Sequence, residues 1–295
     1  MRLSCARFSL VAGLLMLGRC GLGQDVALPP ETPFNASAGR GDVIWVNLRS
    51  DSAEDYPFGV DTGATLTVLD KSWERKLQPA KSKPLVGARW PISGVFEAPP
   101  LFLGGVQLRT GKIVATEDLA AHFRGHPVAG ILGMDCLGHY CLQFDFVENK
   151  LRFLEPSDLN GQNPGQAFPI KPLRGCFFVN DNLLGLRGFD SLIDTGCNFD
   201  GVLTQPLFRQ WTSGVTPPPG QARYPDGVFG GNVYTNLYLA GDGERNLIGL
   251  HFLSRNLVTL DFPRRTLYLQ QRSTGPSPAE SNYFAGFYRT TVQTH

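Results

Sequence analysis

Two short stretches carry residues able to do acid–base chemistry together. Asp61-Thr62-Gly63 and Asp194-Thr195-Gly196 are the same triplet, each preceded by an apolar run that ends in Val60 or Ile193. Two carboxyls brought into contact cannot both ionise easily. Such a pair keeps one proton between its members, so one can give a proton while the other takes one. A single Asp-Thr-Gly is common in turns. The reading therefore depends on whether the sequence around the triplets also repeats.

It does. The triplets lie 133 positions apart, and so do Val43-Ile44-Trp45-Val46-Asn47 and Cys176-Phe177-Phe178-Val179-Asn180. Gly94-Val95-Phe96 and Gly227-Val228-Phe229 keep the same offset, and Val68-Leu69 fits Val202-Leu203 at 134. Further on, Ile131-Leu132-Gly133 matches Leu247-Ile248-Gly249 at 116, as Phe144-Asp145-Phe146 matches Leu260-Asp261-Phe262. The second copy is thus shorter by 17 residues (133 less 116), and the missing counterpart is expected to be roughly 111–127. A repeat of this length marks a duplicated structural unit.

The elements that must position the triplets are short strands. Apolar runs at 43–48, 57–60 and 66–69 surround the first triplet, and Asp70 is placed to cap a short helix over 72–77. A hairpin is expected to turn near Ser93, Gly94 and Phe96, followed by strands at 101–106 and 112–116 and a helical turn at 118–123. Residues 128–133 form an apolar strand ending on glycine. A short helix at 134–139 and a closing hairpin turning at Glu148-Asn149 follow. The second copy repeats this order and closes with a hairpin turning at Pro263-Arg264-Arg265. The expected division is a leader at 1–23, an irregular lead-in at 24–41 and a first lobe at 42–154. A polar linker at 155–174, a shortened second lobe at 175–271 and a tail at 272–295 complete it.

The chain of 295 residues has 42% hydrophobic residues, ample for a core, and a net charge of +1 with no basic run, which argues against nucleic acid as partner. Arg2 and Arg7 flank an apolar centre at 8–18, and Gly21-Leu22-Gly23 offers small residues for cleavage near Gln24. This predicts an exported protein, periplasmic or extracellular, with no stable membrane span. Export leaves Cys136, Cys141, Cys176 and Cys197, which allow two disulfides in three connectivities or a buried free thiol at Cys197. Asn35-Ala36-Ser37 is a sequon, meaningful only in a eukaryotic secretory host. No metal-binding spacing appears: His122 and His126 are four apart, but Gly125 and Pro127 make them loop residues. No metal or other cofactor is expected.

The order Asp-Thr-Gly-Ala at 61–64, a glycine-bearing hairpin, Ile-Leu-Gly at 131–133 and a closing hairpin resembles the retropepsin-like and pepsin-like aspartic proteases. The likeness covers about 42–271 and is tighter in the first copy. It implies an all-β, bilobal acid-protease-like fold: two homologous β-barrel-like lobes, related by a pseudo-twofold axis, with a cleft between them. By that resemblance Asp61 and Asp194 are the catalytic pair. Thr62 and Thr195 cross-link the two loops, and Gly63 and Gly196 let the backbones approach. The segments at Ser93, Gly94 and Phe96 and at Gly227, Phe229 and Gly230 are candidate flaps over an extended polypeptide substrate. Phe96 and Phe229 are equally at home in the core. A monomeric endopeptidase is the leading expectation. The alternatives are a non-catalytic peptide-binding protein, whose carboxylates would lie too far apart to share a proton, and a dimeric protease using only the first lobe.

Overall fold

The computed structural model describes residues 27–51, 54–81, 92–123, 127–160, 163–186, 188–212 and 221–276. The leader, the segment 82–91, His126 and most of the tail lie outside them. Among the described residues no helix is long and apolar enough to cross a membrane.

The protein is almost entirely β, in two lobes joined by a shared sheet. The first-lobe sheet has eight strands in the order Gly94–Glu97, Ile113–Glu117, Val68–Asp70, Gly130–Leu132, Asp55–Val60, Trp45–Arg49, Phe102–Leu103 and Val106–Gln107. Asp55–Val60, which leads into the first triplet, runs parallel to Gly130–Leu132 and antiparallel to Trp45–Arg49. The second lobe repeats this plan. Ser191–Asp194 runs parallel to Asn246–Gly249 and antiparallel to Cys176–Val179.

The lobes meet where their closing hairpins pair. Cys141–Asp145 lies antiparallel to Asn256–Asp261, with Gln143 opposite Thr259. These two residues are 116 apart, the repeat offset, so the pseudo-twofold axis passes between them. Gln143 Nε2 donates to Thr259 Oγ1 across it (3.1 Å). The turns of both hairpins place a non-glycine residue in the left-handed region, Asn149 at φ 55° and Arg265 at φ 55°. A single apolar cluster runs through both lobes, from Ile44, Phe58 and Leu69 to Leu250, Phe252 and Leu267.

Three expectations change. The lead-in and the linker each contribute a strand to the sheet. Thr32–Pro33 pairs with Leu151 and Lys150, and Gln166–Leu173 pairs with Thr266–Gln271 at the equivalent place. Thr32–Pro33 is an outer strand, and Gln166–Leu173 passes from Thr266–Gln271 to Cys176–Val179, joining the shared sheet to that of the second lobe. Each carries a proline where it pairs with the closing hairpin, Pro33 or Pro169. Proline suits a position where no ladder hydrogen bond is required. Arg152 ties the lead-in down further, reaching Glu31 (2.6 Å), Asp145 (3.2 Å) and Glu148 (2.6 Å).

The second lobe also keeps the strand its shorter length was expected to cost. Asn232–Gly243 runs parallel to Gly201–Thr204, as Ile113–Glu117 runs parallel to Val68–Asp70. What it lacks is the small hairpin Phe102–Leu103/Val106–Gln107. Gln221–Phe229 instead turns directly through Gly230 and Gly231, at φ 59° and 84°.

Finally, no disulfide forms among the described residues. Cys136, Cys141, Cys176 and Cys197 are separate buried thiols. Burial pushes Cys176 up to about 11 and Cys141 up to about 12, which keeps both protonated and unreactive. The sequon asparagine is likewise committed to structure. Asn35 Nδ2 donates to Ser37 Oγ, Asp42 Oδ2 and the Val43 carbonyl, and its Oδ1 accepts from the Trp45 amide (2.8 Å).

Candidate active site

Asp61 and Asp194 each sit at the end of a buried strand, where the chain leaves the sheet. Asp61 N donates to Leu132 O (3.0 Å), which fixes the first loop against the strand that ends in Gly133. Both carboxyls are half-buried and hydrogen-bond to each other. Asp61 Oδ1 accepts from the amides of Gly63 (2.7 Å) and Ala64 (3.2 Å), and Asp194 Oδ1 accepts from Gly196 (2.9 Å). Burial raises the Asp61 carboxyl above its ordinary value despite these amides, so its protonated form is favoured.

The threonines form a reciprocal cross-link beneath the carboxyls. Thr62 Oγ1 donates to Ile193 O (2.7 Å) and accepts from Thr195 N (3.1 Å). Thr195 Oγ1 donates to Val60 O (2.8 Å) and accepts from Thr62 N (3.0 Å). Both threonines are 1% exposed, so each hydroxyl satisfies a carbonyl and an amide that water does not reach. The threonines are 133 apart in sequence: the repeat offset is the distance across the axis.

The triplet glycines face the opposite carboxyl. A Cβ on Gly63 would stand 2.6 Å from Asp194 Cγ, and one on Gly196 would stand 2.6 Å from Asp61 Cγ. Glycine is required at both positions because the opposite carboxyl occupies the space of a side chain. The repeated closing glycines have a similar reason. A Cβ on Gly133 would meet the backbone of Leu66, and one on Gly249 would meet the carbonyls of Phe199 and Cys197. The loop after each triplet therefore crosses directly over its glycine. Cys176 joins this region too, its Sγ donating to Gly63 O (3.3 Å).

The flap expectations divide. Gln78 and Ala80 pair with Glu97 and Val95 (Glu97 N to Gln78 O 2.8 Å, Ala80 N to Val95 O 3.0 Å), so the two ends of the expected first-lobe hairpin lie side by side. Its joining segment, 82–91, lies outside the described residues. Gly94 and Phe96 are on its returning strand, not at its turn, and Ser93 is exposed at that strand's start. Phe96 is half-buried. The second candidate is not at an equivalent place. Val95 faces Ala115, which lies beside Val68. In the second lobe the same path from Val202 leads through Ala240 to Gln221, several residues before Gly227. The match at offset 133 is therefore a chance likeness. Phe229 is core, 1% exposed and packed on Phe168 and Phe252, and Gly230 N donates to Asp181 Oδ2 (3.1 Å).

Strand register defines a surface leading to Asp61. Trp45, Gly59, Ile131 and Val68 are successive neighbours on one face of the first sheet, the face that Asp61 continues. Trp45, Ile131 and Val68 are half-buried, whereas the other face carries the fully buried Val46, Phe58, Leu69 and Leu132. Gly59 makes room for the Trp45 ring, which stands edge-on to Phe123 at 5.3 Å.

The same register continues through Ala115 to Glu117, which is 6% exposed. Burial pushes the Glu117 carboxyl up from 4.5 to about 7. A carboxyl raised on folding stabilises the folded chain below its unfolded value and loses that contribution as pH rises through its folded value. Thermal unfolding followed across pH 4 to 9 is expected to show stability falling between about 4.5 and 7, and Glu117→Gln is expected to remove that fall.

Comparison with known proteins supports the architecture. Neither a family model nor a curated protein sequence matches the chain. Solved structures do match. A basic 7S globulin from soybean has 12% identity and a TM-score of 0.53, over 84% of this chain and 96% of that one. Conglutin gamma, a basic 7S globulin from lupine seeds, has 14% identity and a TM-score of 0.51 over 84% and 96%. An aspartic proteinase from Irpex lacteus has 14% identity and a TM-score of 0.50, over 85% of this chain and all (100%) of that one. The fold is pepsin-like. At these identities the likeness concerns the fold alone, and two of the three pepsin-like neighbours carry the name of globulins.

Proposed function

We propose that this protein is an aspartic endopeptidase. The observation that carries the reading is the carboxyl pair: Asp61 and Asp194 are in hydrogen-bond contact, each held from below by a loop amide and locked by the threonine cross-link. Like charges about 3 Å apart hold one proton between them. That behaviour is an established property of aspartic-protease pairs, applied here rather than obtained from this structure. The ionised member takes a proton from a water, which attacks the peptide carbonyl, and the protonated member donates to the carbonyl oxygen. General acid–base assistance of this kind contributes roughly 10²–10⁴ in rate. The titration belongs to the pair, not to either residue.

The substrate reading is an extended polypeptide laid over the half-buried face of Trp45, Ile131 and Val68 and covered by the first-lobe hairpin. Extended chains add backbone hydrogen bonds to exposed strand edges. The leader makes the proposed enzyme an exported one, and both carboxyls come from one chain, which suits a monomer. The contact between the two carboxyls supports this reading over that of a non-catalytic binder, which has no need of a shared proton.

The test is digestion of a denatured protein mixture across acidic to neutral pH, with and without a transition-state-mimicking inhibitor of aspartic proteases. Inhibitor-sensitive cleavage supports the reading. A folded wild-type protein that cleaves nothing and does not bind the inhibitor overturns it.

A further inference from the structure

The loops behind the two carboxyls are held by different clamps at equivalent positions. In the first lobe, Thr67 donates through both N and Oγ1 to Asp135 Oδ1 (2.7 and 2.8 Å), joining the loop after the triplet to the short helix after Gly133. Moving Thr67 by 133 and Asp135 by 116 gives Asp200 and His251. These two also meet: Asp200 Oδ2 lies 3.0 Å from His251 Nδ1. The carboxylate has changed sides, and an imidazole now faces it. The carboxylate now stands on the loop, and the partner stands on the helix Leu250–Leu253.

The second clamp also has a charged third member. Arg255 Nη2 donates to Asp200 Oδ1 (2.7 Å), and Nη1 donates to Thr235 O (2.7 Å) and Thr274 O (3.3 Å). Asp200 is 0% exposed, Arg255 1% and His251 5%. Asp200 Oδ2 further accepts from Tyr238 N (2.7 Å). The backbone follows the clamp: Gly249 N donates to Asp200 O, Leu250 N to Cys197 O and His251 N to Phe199 O. Every member of the loop from Cys197 to Asp200 that bonds the helix lies within six residues of Asp194.

We infer that Asp200, held by His251 and Arg255, is the positioning residue for Asp194, performing in the second lobe what the Thr67–Asp135 pair performs in the first. The arginine anchors the loop to Thr235 on the strand Asn232–Gly243 and to residue 274, where the first lobe's clamp instead takes the Gly111 amide on Asp135 Oδ2 (3.2 Å). Breaking a buried charge pair on one side leaves the other charge uncompensated, so the loop relaxes locally. A displacement of about 1 Å at a reacting carboxyl can lower a rate by about 10²-fold.

The experiment compares full-length wild type, Asp200→Asn, Arg255→Lys and the double variant Asp200→Thr/His251→Asp, which transplants the first lobe's pair. Hydrogen–deuterium exchange is read on peptides covering 191–200 and 58–67. Asp200→Asn is expected to speed exchange by about tenfold or more in 191–200 alone, and the double variant to restore protection. If Asp200→Asn does not fold, Arg255→Lys, which keeps charge but loses the two-armed contact, carries the same comparison. Unchanged exchange at 191–200, or equal acceleration in both peptides, overturns the inference.

The kinetic arm rests on the peptidase reading. There kcat is expected to fall by about 10²-fold with KM nearly unchanged. A fall in thermal stability with kcat intact would mark Asp200 as structural only and overturn the inference. If wild type cleaves nothing, the peptidase reading fails while the exchange data still judge the clamp.

Discussion

Asp61→Asn and Asp194→Asn are each expected to abolish peptide hydrolysis, with kcat/KM falling by about 10⁴-fold while the protein stays folded. The amide keeps the shape of the carboxyl, and the Gly63, Ala64 and Gly196 amides still find an oxygen acceptor at positions 61 and 194. What is lost is the shared proton. One proton serves two carboxyls in contact, so neither can act without the other. The double variant is therefore expected to be no worse than either single one. Initial rates on one peptide, normalised to folded protein, decide the matter. Activity that survives Asp194→Asn but not Asp61→Asn would show the first lobe working with a carboxyl from another chain.

The second large effect concerns the glycines. Gly63→Ala is expected to lower kcat by at least about 10²-fold, because its methyl would stand 2.6 Å from Asp194 Cγ and force the carboxyls apart. Gly196→Ala mirrors it against Asp61. Overpacking of this kind costs about 1–3 kcal/mol of stability, too little to unfold most domains. Calorimetry should therefore find folded protein with a lowered melting temperature, and inhibitor binding should weaken in parallel with kcat. Wild-type kcat in Gly63→Ala would mean that the two loops have room to separate without consequence.

The triplets, the threonine cross-link and the closing glycines were legible in the sequence because each needs the same residue type in both copies. A hydroxyl that bonds the partner loop, and a glycine that makes way for the partner carboxyl, cannot be replaced in one lobe alone. Other features escaped for equally physical reasons. The strands around Pro33 and Pro169 read as lead-in and linker because a short, proline-bearing strand has a weak alternating pattern. Gly227-Val228-Phe229 matched Gly94-Val95-Phe96 by type while serving a different place in the ladder. Asp200 and His251 carried a signal that direct matching hides: their chemistry is exchanged relative to Thr67 and Asp135, and only the pair, not either residue, repeats. The four cysteines were open to a disulfide reading because cysteine spacing says nothing of separation in space.

The pairing of the two closing hairpins sets the order in which the molecule can be completed. Cys141–Asp145 borders a strand of its own hairpin on one side and Asn256–Asp261 on the other. Its second neighbour is separated from it by more than a hundred residues of chain, most of the other lobe included. At a synthesis rate of about 5–20 residues per second, that edge waits roughly 5–20 s for its partner. Through this interval the nascent first half presents an unpaired edge with apolar Leu142 and Phe144 on it, the kind of edge to which foreign strands add. Long-range pairing of this sort also slows folding in general. The contact that aligns the two halves thus forms late, and the half-made chain is the form most exposed to aggregation.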